Sequence, residues 1–159
     1  MMHNWFTCKI RYEKTMENGM NKKVTEPYLV DALSFTEAES RIIEEMTPFF
    51  QGEFVVAGVA RANYEEIFPS DEEYADRWYK CKLWFMTLDE KTGVEKRTAS
   101  NVLVQASDLR DAIKKLDEGM KDTLADYVIA SVAETAIMDV YPYEADPDVK
   151  PEFNDADRR

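Results

Sequence analysis

Two short stretches interleave tryptophan with lysine and arginine. Trp5 is followed by Lys9 and Arg11, and Trp78 by Lys80, Lys82 and Trp84. If each stretch is a β-strand, residues two apart share a face, and these seven side chains line the outward faces of two strands. Rings that stack on bases, alternating with cations that follow phosphates, are what a surface for single-stranded nucleic acid requires. The local charge fits: residues 5–25 carry +3 and residues 78–98 carry +2, whereas the whole chain carries −12, which leaves −17 to the remainder. Taken alone, that overall charge disfavours unspecific binding to nucleic acid or to anionic membranes. The plainer account of the same residues is a solvated strand face, with Lys blocking edge-to-edge aggregation and Trp5 and Trp78 covering the ends of the core. A third account makes the exposed tryptophans a surface for a protein partner. Phosphate binding weakens steeply with salt and an apolar protein interface does not, so the two kinds of ligand are separable.

Other chemistry lacks its residues. A hydrolase elbow needs a G-x-S-x-G turn, and there is none. The five glycines are scattered and form no G-x-G for a phosphate loop. Cys8 and Cys81 would need a base to act as nucleophiles, and the single histidine is His3. Both cysteines are expected to be small core residues, with a bridge between them disfavoured in a reducing compartment. Two cysteines and one histidine match no zinc pattern. The acidic runs Glu44-Glu45 and Asp71-Glu72-Glu73 lack the ligand spacing of a calcium loop. The expectation is a non-enzymatic binding protein with no cofactor and no metal.

The elements that would position the seven residues come in two copies. Trp5-Phe6-Thr7-Cys8-Lys9-Ile10-Arg11-Tyr12 matches Trp78-Tyr79-Lys80-Cys81-Lys82-Leu83-Trp84-Phe85, 73 residues later. Tyr28-Leu29-Val30-Asp31-Ala32 matches Val102-Leu103-Val104-Gln105-Ala106, and Ala38, Ile42 and Met46 match Ala112, Leu116 and Met120, at an offset of 74. Residues 54–60 match 127–133, and Ile67-Phe68-Pro69 matches Val140-Tyr141-Pro142, at 73 again. The pattern predicts an α+β fold: an internal tandem duplication of a ββαβ unit with pseudo-twofold symmetry, residues 5–69 and 78–142.

In each copy a first strand (about 5–14) alternates Phe6, Cys8, Ile10 and Tyr12 inward with Trp5, Thr7, Lys9 and Arg11 outward. Turns at Asn18-Gly19 and Lys91-Thr92-Gly93 lead to second strands over about 23–33 and 97–106. Ser34 and Asp108 are expected N-caps, with Glu37 and Asp111 three residues on, and Ser34 with Glu37 fits a capping box. The helices carry apolar residues at helical spacing; Pro48 ends or follows the first, and Gly119 weakens the second near its end. The third strands (about 53–63 and 126–136) are nearly all apolar or small, which predicts strands that are central and buried on both faces, or close to the axis relating the halves. Residues 70–77 form an acidic linker or short helical turn. Residues 143–159, acidic with two prolines, are expected to be a flexible tail.

With 45% hydrophobic residues and no run of 18 uncharged apolar residues, the chain is expected to be soluble and to have no membrane partner. The N-terminus lacks the regions of a secretory signal, so a cytoplasmic location is expected. Monomer and homo-oligomer both fit the sequence.

The stretches WFTCKIRYEKTMENG, RANYEEIFPS, DRWYKCKLWFMTLDEKTG and DYVIASVAETAIMDVYPYE resemble a family of small bacterial and phage-associated proteins described only as a domain of unknown function. The resemblance spans residues 4–144. It implies no established activity and transfers no functional residue. Its phage association implies a setting in DNA replication, recombination or host interaction.

Overall fold

A computed structural model describes residues 3–143. The expected tail therefore lies, from residue 144 onward, outside the described residues. Among the described residues the fold is α+β, with eight strands in two four-stranded sheets and two α-helices. The chain divides into two compact units. Unit 1 comprises residues 3–62 and 140–143, and unit 2 comprises Asn63–Asp139. Among the described residues no helix is long and apolar enough to cross a membrane.

Unit 1 is built on an antiparallel hairpin of β1 (Trp5–Thr15) and β2 (Asn21–Asp31). Its turn places Gly19 at φ 83°, a conformation that glycine adopts without a steric cost. The α-helix α1 (Phe35–Met46) begins at Ser34, whose hydroxyl accepts the Glu37 N–H at 3.1 Å. Glu37 reaches back to accept the Leu33 N–H at 2.7 Å. The first bond satisfies a donor that the opening helical turn leaves free, and the second ties down the residue before the cap. A 3₁₀ turn (Thr47–Phe49) containing Pro48 follows the helix. β3 (Phe54–Ala62) then pairs antiparallel with β1. Phe6, Cys8, Ile10, Val30, Ala32, Ala38, Ile42 and Met46 form the core between sheet and helix.

Unit 2 opens with β4 (Glu66–Phe68), followed by the hairpin β5 (Arg77–Leu88) and β6 (Glu95–Ala106), with Gly93 at φ 72° in the turn. The helix α2 (Leu109–Met120) is capped by Asp108, which accepts the Asp111 N–H at 2.8 Å. β7 (Tyr127–Glu134) pairs antiparallel with β5. Cys81, Leu83, Val102, Val104, Leu116 and Met120 form one core cluster, and Tyr79, Ala106 and Ala112 another. Full burial of a side chain such as Ile10 or Leu83 stabilises by roughly 1.5–3 kcal/mol.

The third strands are not central. The sheet orders are β3-β1-β2-β8 and β4-β6-β5-β7, so β3 and β7 lie at edges and each pairs on one side only. The apolar run misled because composition does not say which strands it pairs with, and because its small residues, Ala57, Gly58 and Ala60 in β3 and Ala130, Ser131 and Ala133 in β7, leave little to bury. Val55 and Val128 are about half exposed. Each edge strand also carries a β-bulge: Ala57 is the extra residue where β1 moves from Lys9 to Ile10, and Ala130 where β5 moves from Lys82 to Leu83. Bulges at exposed edges hinder pairing with another chain.

Each sheet is completed by a very short parallel strand from elsewhere in the chain. β4 follows β3 in sequence but pairs with β6, and β8 (Val140–Tyr141) follows β7 but pairs with β2. These two strands add to the expected strand–strand–helix–strand order, and the compact units divide at Ala62 and Asp139.

Side chains latch both short strands. In unit 1 the buried Asp31 carboxylate accepts the N–H groups of Asn4 (3.0 Å) and Tyr143 (3.4 Å) and contacts the His3 ring nitrogen. Arg41 of α1 donates to the Asp31 carbonyl and, at 3.1 Å, to the Pro142 carbonyl. Its guanidinium lies 5.1 Å from the Tyr143 ring centre. Tyr141 stacks beside Tyr28 with ring centres 6.3 Å apart.

In unit 2 the Gln105 amide oxygen accepts the Ser70 N–H at 2.9 Å. Lys115 of α2 reaches Ser70 Oγ (3.1 Å), Glu72 (2.9 Å) and Asp111 (3.0 Å). The Phe68 ring packs against Gly119, where an added Cβ would come within 2.7 Å of it. The glycine expected only to weaken α2 is what admits that ring.

Candidate nucleic-acid interface

The alternation of β1 and β5 holds as the sequence predicts. Phe6, Cys8 and Ile10 face α1, and Tyr79, Cys81 and Leu83 face α2. The seven candidates lie on the opposite faces, but those faces are not uniformly open. Trp5 and Trp78 are buried, at 6% and 4% exposure. Their expected role as exposed stacking rings is therefore corrected. Alternation fixes the face of a side chain and not whether that face meets water. On the same faces the cross-strand neighbours Asp31 and Leu29 in unit 1, and Leu103 in unit 2, are buried as well. Trp5 additionally stacks on His3, with ring centres 5.3 Å apart.

The remaining five differ between the units. In unit 1, Lys9 and Arg11 are exposed, with no exposed tryptophan beside them. The Lys9 stem passes over Gly58, its Cδ 4.0 Å from where a Cβ would stand. Arg11 borders a surface groove that also contains Lys23, Glu13 and Glu53, so the charge there is mixed.

In unit 2, Lys80 is exposed, and Lys82 and Trp84 are half-buried. The Lys82 ammonium stands 4.7 Å from the Trp84 ring centre and the Arg97 guanidinium 5.0 Å from it. Of the seven candidates, the structure brings Lys82 and Trp84 into contact and adds Arg97, which was not among them. Arg97 was reachable from the sequence: counting back from the turn at Gly93 pairs it with Met86, which puts it on the Trp84 face of the next strand. A tryptophan face attracts cations through the ring quadrupole. Trp84 thus holds two cations close together, on a sheet face that continues to Lys80.

The cysteines are free and fully buried. Burial pushes both thiols up to about 11, assisted at Cys8 by Glu39. That environment suppresses the reactive thiolate. Among the described residues no group of His, Cys, Asp and Glu is arranged to hold a metal ion.

Residues 4–143 match the model of a family described as a domain of unknown function (DUF4494), and the chain belongs to that family. No curated protein matches the chain.

Proposed function

We propose that this DUF4494 protein is a non-enzymatic binding protein, built by tandem duplication of a ββαβ unit, that holds single-stranded nucleic acid on the β5–β6 face around Trp84. The duplication is supported position by position. Phe6, Cys8, Ile10, Val30, Ala32, Ala38, Ile42 and Met46 recur in the second core as Tyr79, Cys81, Leu83, Val104, Ala106, Ala112, Leu116 and Met120. The bulged residues Ala57 and Ala130 stand 73 positions apart, as the β1 and β5 matches do.

One observation carries the functional reading: Trp84 is an accessible indole bracketed by Lys82 and Arg97. A base stacks on the ring while the cations meet the flanking phosphates. Trp5 and Trp78 drop out of the site, and Lys9 and Arg11 become a secondary basic patch. With the other two tryptophans buried, Trp84 is the natural optical reporter.

The test is a tryptophan-fluorescence titration with a single-stranded oligonucleotide at low and moderate salt. Saturable quenching that salt weakens and Trp84→Phe abolishes supports the reading. No quenching at low salt rejects it. A protein-binding module is the second reading, favoured by the exposed apolar residues Leu109 and Ile113 on α2 and Ile129 on the helix-facing side of β7. Binding there would be insensitive to salt and to Trp84→Phe.

A further inference from the structure

The sheet face that carries Trp84 also carries an asparagine whose amide is held in place. On β6, Ser100 and Val102 are buried on the helix side, so Asn101 between them belongs to the outer face. Asn101 stands directly opposite Lys82, and Trp84 stands opposite Ala99, two residues along. Asn101 is therefore the diagonal neighbour of the indole, about 7–8 Å away between backbones and within reach of a long or aromatic side chain.

Two contacts fix this residue. Its side-chain nitrogen donates to the Asn63 carbonyl at 3.3 Å, and its own carbonyl accepts the Glu65 N–H at 2.9 Å. Both partners belong to the segment that leads into β4, so side chain and backbone are pinned together. One N–H of the amide is used in this way. The other N–H and the amide oxygen have no partner among the described residues, and the side chain is only half-buried. Unit 1 has neither the ring nor the amide. Pro27 stands opposite Lys9 where Asn101 stands opposite Lys82, and Arg11 takes the place of Trp84. The indole and the held amide occur together on one face and are both missing from the other, as a site that stacks a base and reads its edge requires.

We propose that Asn101 reads the base stacked on Trp84 and that the base it selects is adenine, an inference that rests on the nucleic-acid reading of this face. The amide offers an acceptor and a donor. Adenine answers with its N6 amino group and N7, the pairing that asparagine makes when it reads this base. On the same edge guanine presents two acceptors, cytosine a donor alone, and thymine an acceptor beside its methyl group. In a single strand the edge is open to a side chain. Lys82 and Arg97 meet phosphates whatever the base, so affinity comes from them and from stacking, and selectivity comes from Asn101. A side chain already tied to Asn63 loses less freedom on binding, which suits it to this role.

The test compares two end-labelled single strands by fluorescence anisotropy at low salt. One is a dodecamer of deoxyadenosine; the other is the same strand made with 7-deazaadenine, which keeps the charge, the amino group and the stacking surface and lacks N7. The unaltered protein should bind the adenine strand at least about fivefold more tightly, and Asn101→Ala should bind both strands with the weaker affinity. Equal binding of the two strands by the unaltered protein, or a preference that survives in Asn101→Ala, overturns the proposal and leaves the stacking site standing. Binding of neither strand overturns both. Should Asn101→Ala fail to fold by circular dichroism, Asn101→Val, which suits a strand and carries no hydrogen-bonding group, decides by the same outcomes.

Discussion

The segment after β8 is held in unit 1 by a carboxylate, Asp31, and by Arg41, whereas the segment after β4 is held in unit 2 by an amide, Gln105, and by Lys115. The positions match in the proposed repeat, and the chemistry differs. The arginine plane serves two carbonyls and one ring at once, while the lysine acts as a compact charge among Ser70, Glu72 and Asp111. The outer faces differ in the same way. Where unit 2 has Trp84 between Lys82 and Arg97, unit 1 has Arg11 beside a mixed-charge groove. The cores differ least. If the two units arose by the proposed duplication, what packs was kept and what faces water was varied.

The largest effects should fall where the units agree. Ile10→Ala and Leu83→Ala remove fully buried side chains at matching positions and should each cost about 2–5 kcal/mol in urea denaturation. Costs that differ by much more than about 1 kcal/mol would show that the two cores are not equally packed, which breaks the comparison.

Gly119→Ala should come next. Alanine normally favours a helix, but here its Cβ would press on the Phe68 ring, so a loss of about 1–3 kcal/mol is expected. Glu45→Ala, at the matching position of α1, should stay within about 0.5 kcal/mol. A stabilised Gly119→Ala protein would mean that Phe68 yields freely.

The cysteines turn the comparison into a kinetic one. Each is buried in one unit with its thiol pushed up to about 11, so alkylation at pH 8 reports local opening of that unit. Tyr141→Ala should speed alkylation of Cys8 by about tenfold, the equivalent of 1.4 kcal/mol, and leave Cys81 unchanged, as read by peptide mass spectrometry. Equal acceleration at both sites would show that the units open together.

The smallest effect is electrostatic and confined to unit 2. The Ser107 N–H, with Lys115, holds the Asp111 carboxyl below its ordinary range. Burial opposes the charge on Lys115, but hydrogen bonds to Glu72 and Asp111 outweigh it and push its pKa up. A lowered carboxyl pKa stabilises the fold above the unfolded value, and that contribution disappears as pH falls through the lowered one. The raised lysine pKa adds stability below its unfolded value that is lost only as pH rises through the folded one. Asp111→Asn should therefore flatten the acid side of the stability profile without changing it near neutrality beyond a constant offset.

The hairpins, helices and caps were legible in the sequence because each is fixed by local signals: Gly19 and Gly93 in turns, Ser34 and Asp108 at caps, and inward alternation from Phe6 to Ile10. The third strands were misplaced because a run of small apolar residues reads as buried, while its place in the sheet depends on which strand it pairs with. Trp5 and Trp78 were assigned the right face and the wrong environment, since alternation carries no information about what covers a face. The destinations of β4 and β8 were invisible, because strands of two or three residues follow the same Pro-terminated pattern whichever sheet edge receives them. Arg41 and Lys115 read as ordinary helix charges until the strands they hold were in place.

The break points of the units have a consequence for the order of assembly during synthesis. Unit 2 is one uninterrupted stretch, Asn63–Asp139, and has all its parts once that stretch has left the ribosome. Unit 1 begins earlier but waits for Val140 and Tyr141 to complete its sheet. At roughly 5–20 residues per second, its hairpin and helix stand incomplete for several seconds while the later half is made. The part translated first is thus the part finished last, and the nascent chain spends that interval with the β2 edge uncovered.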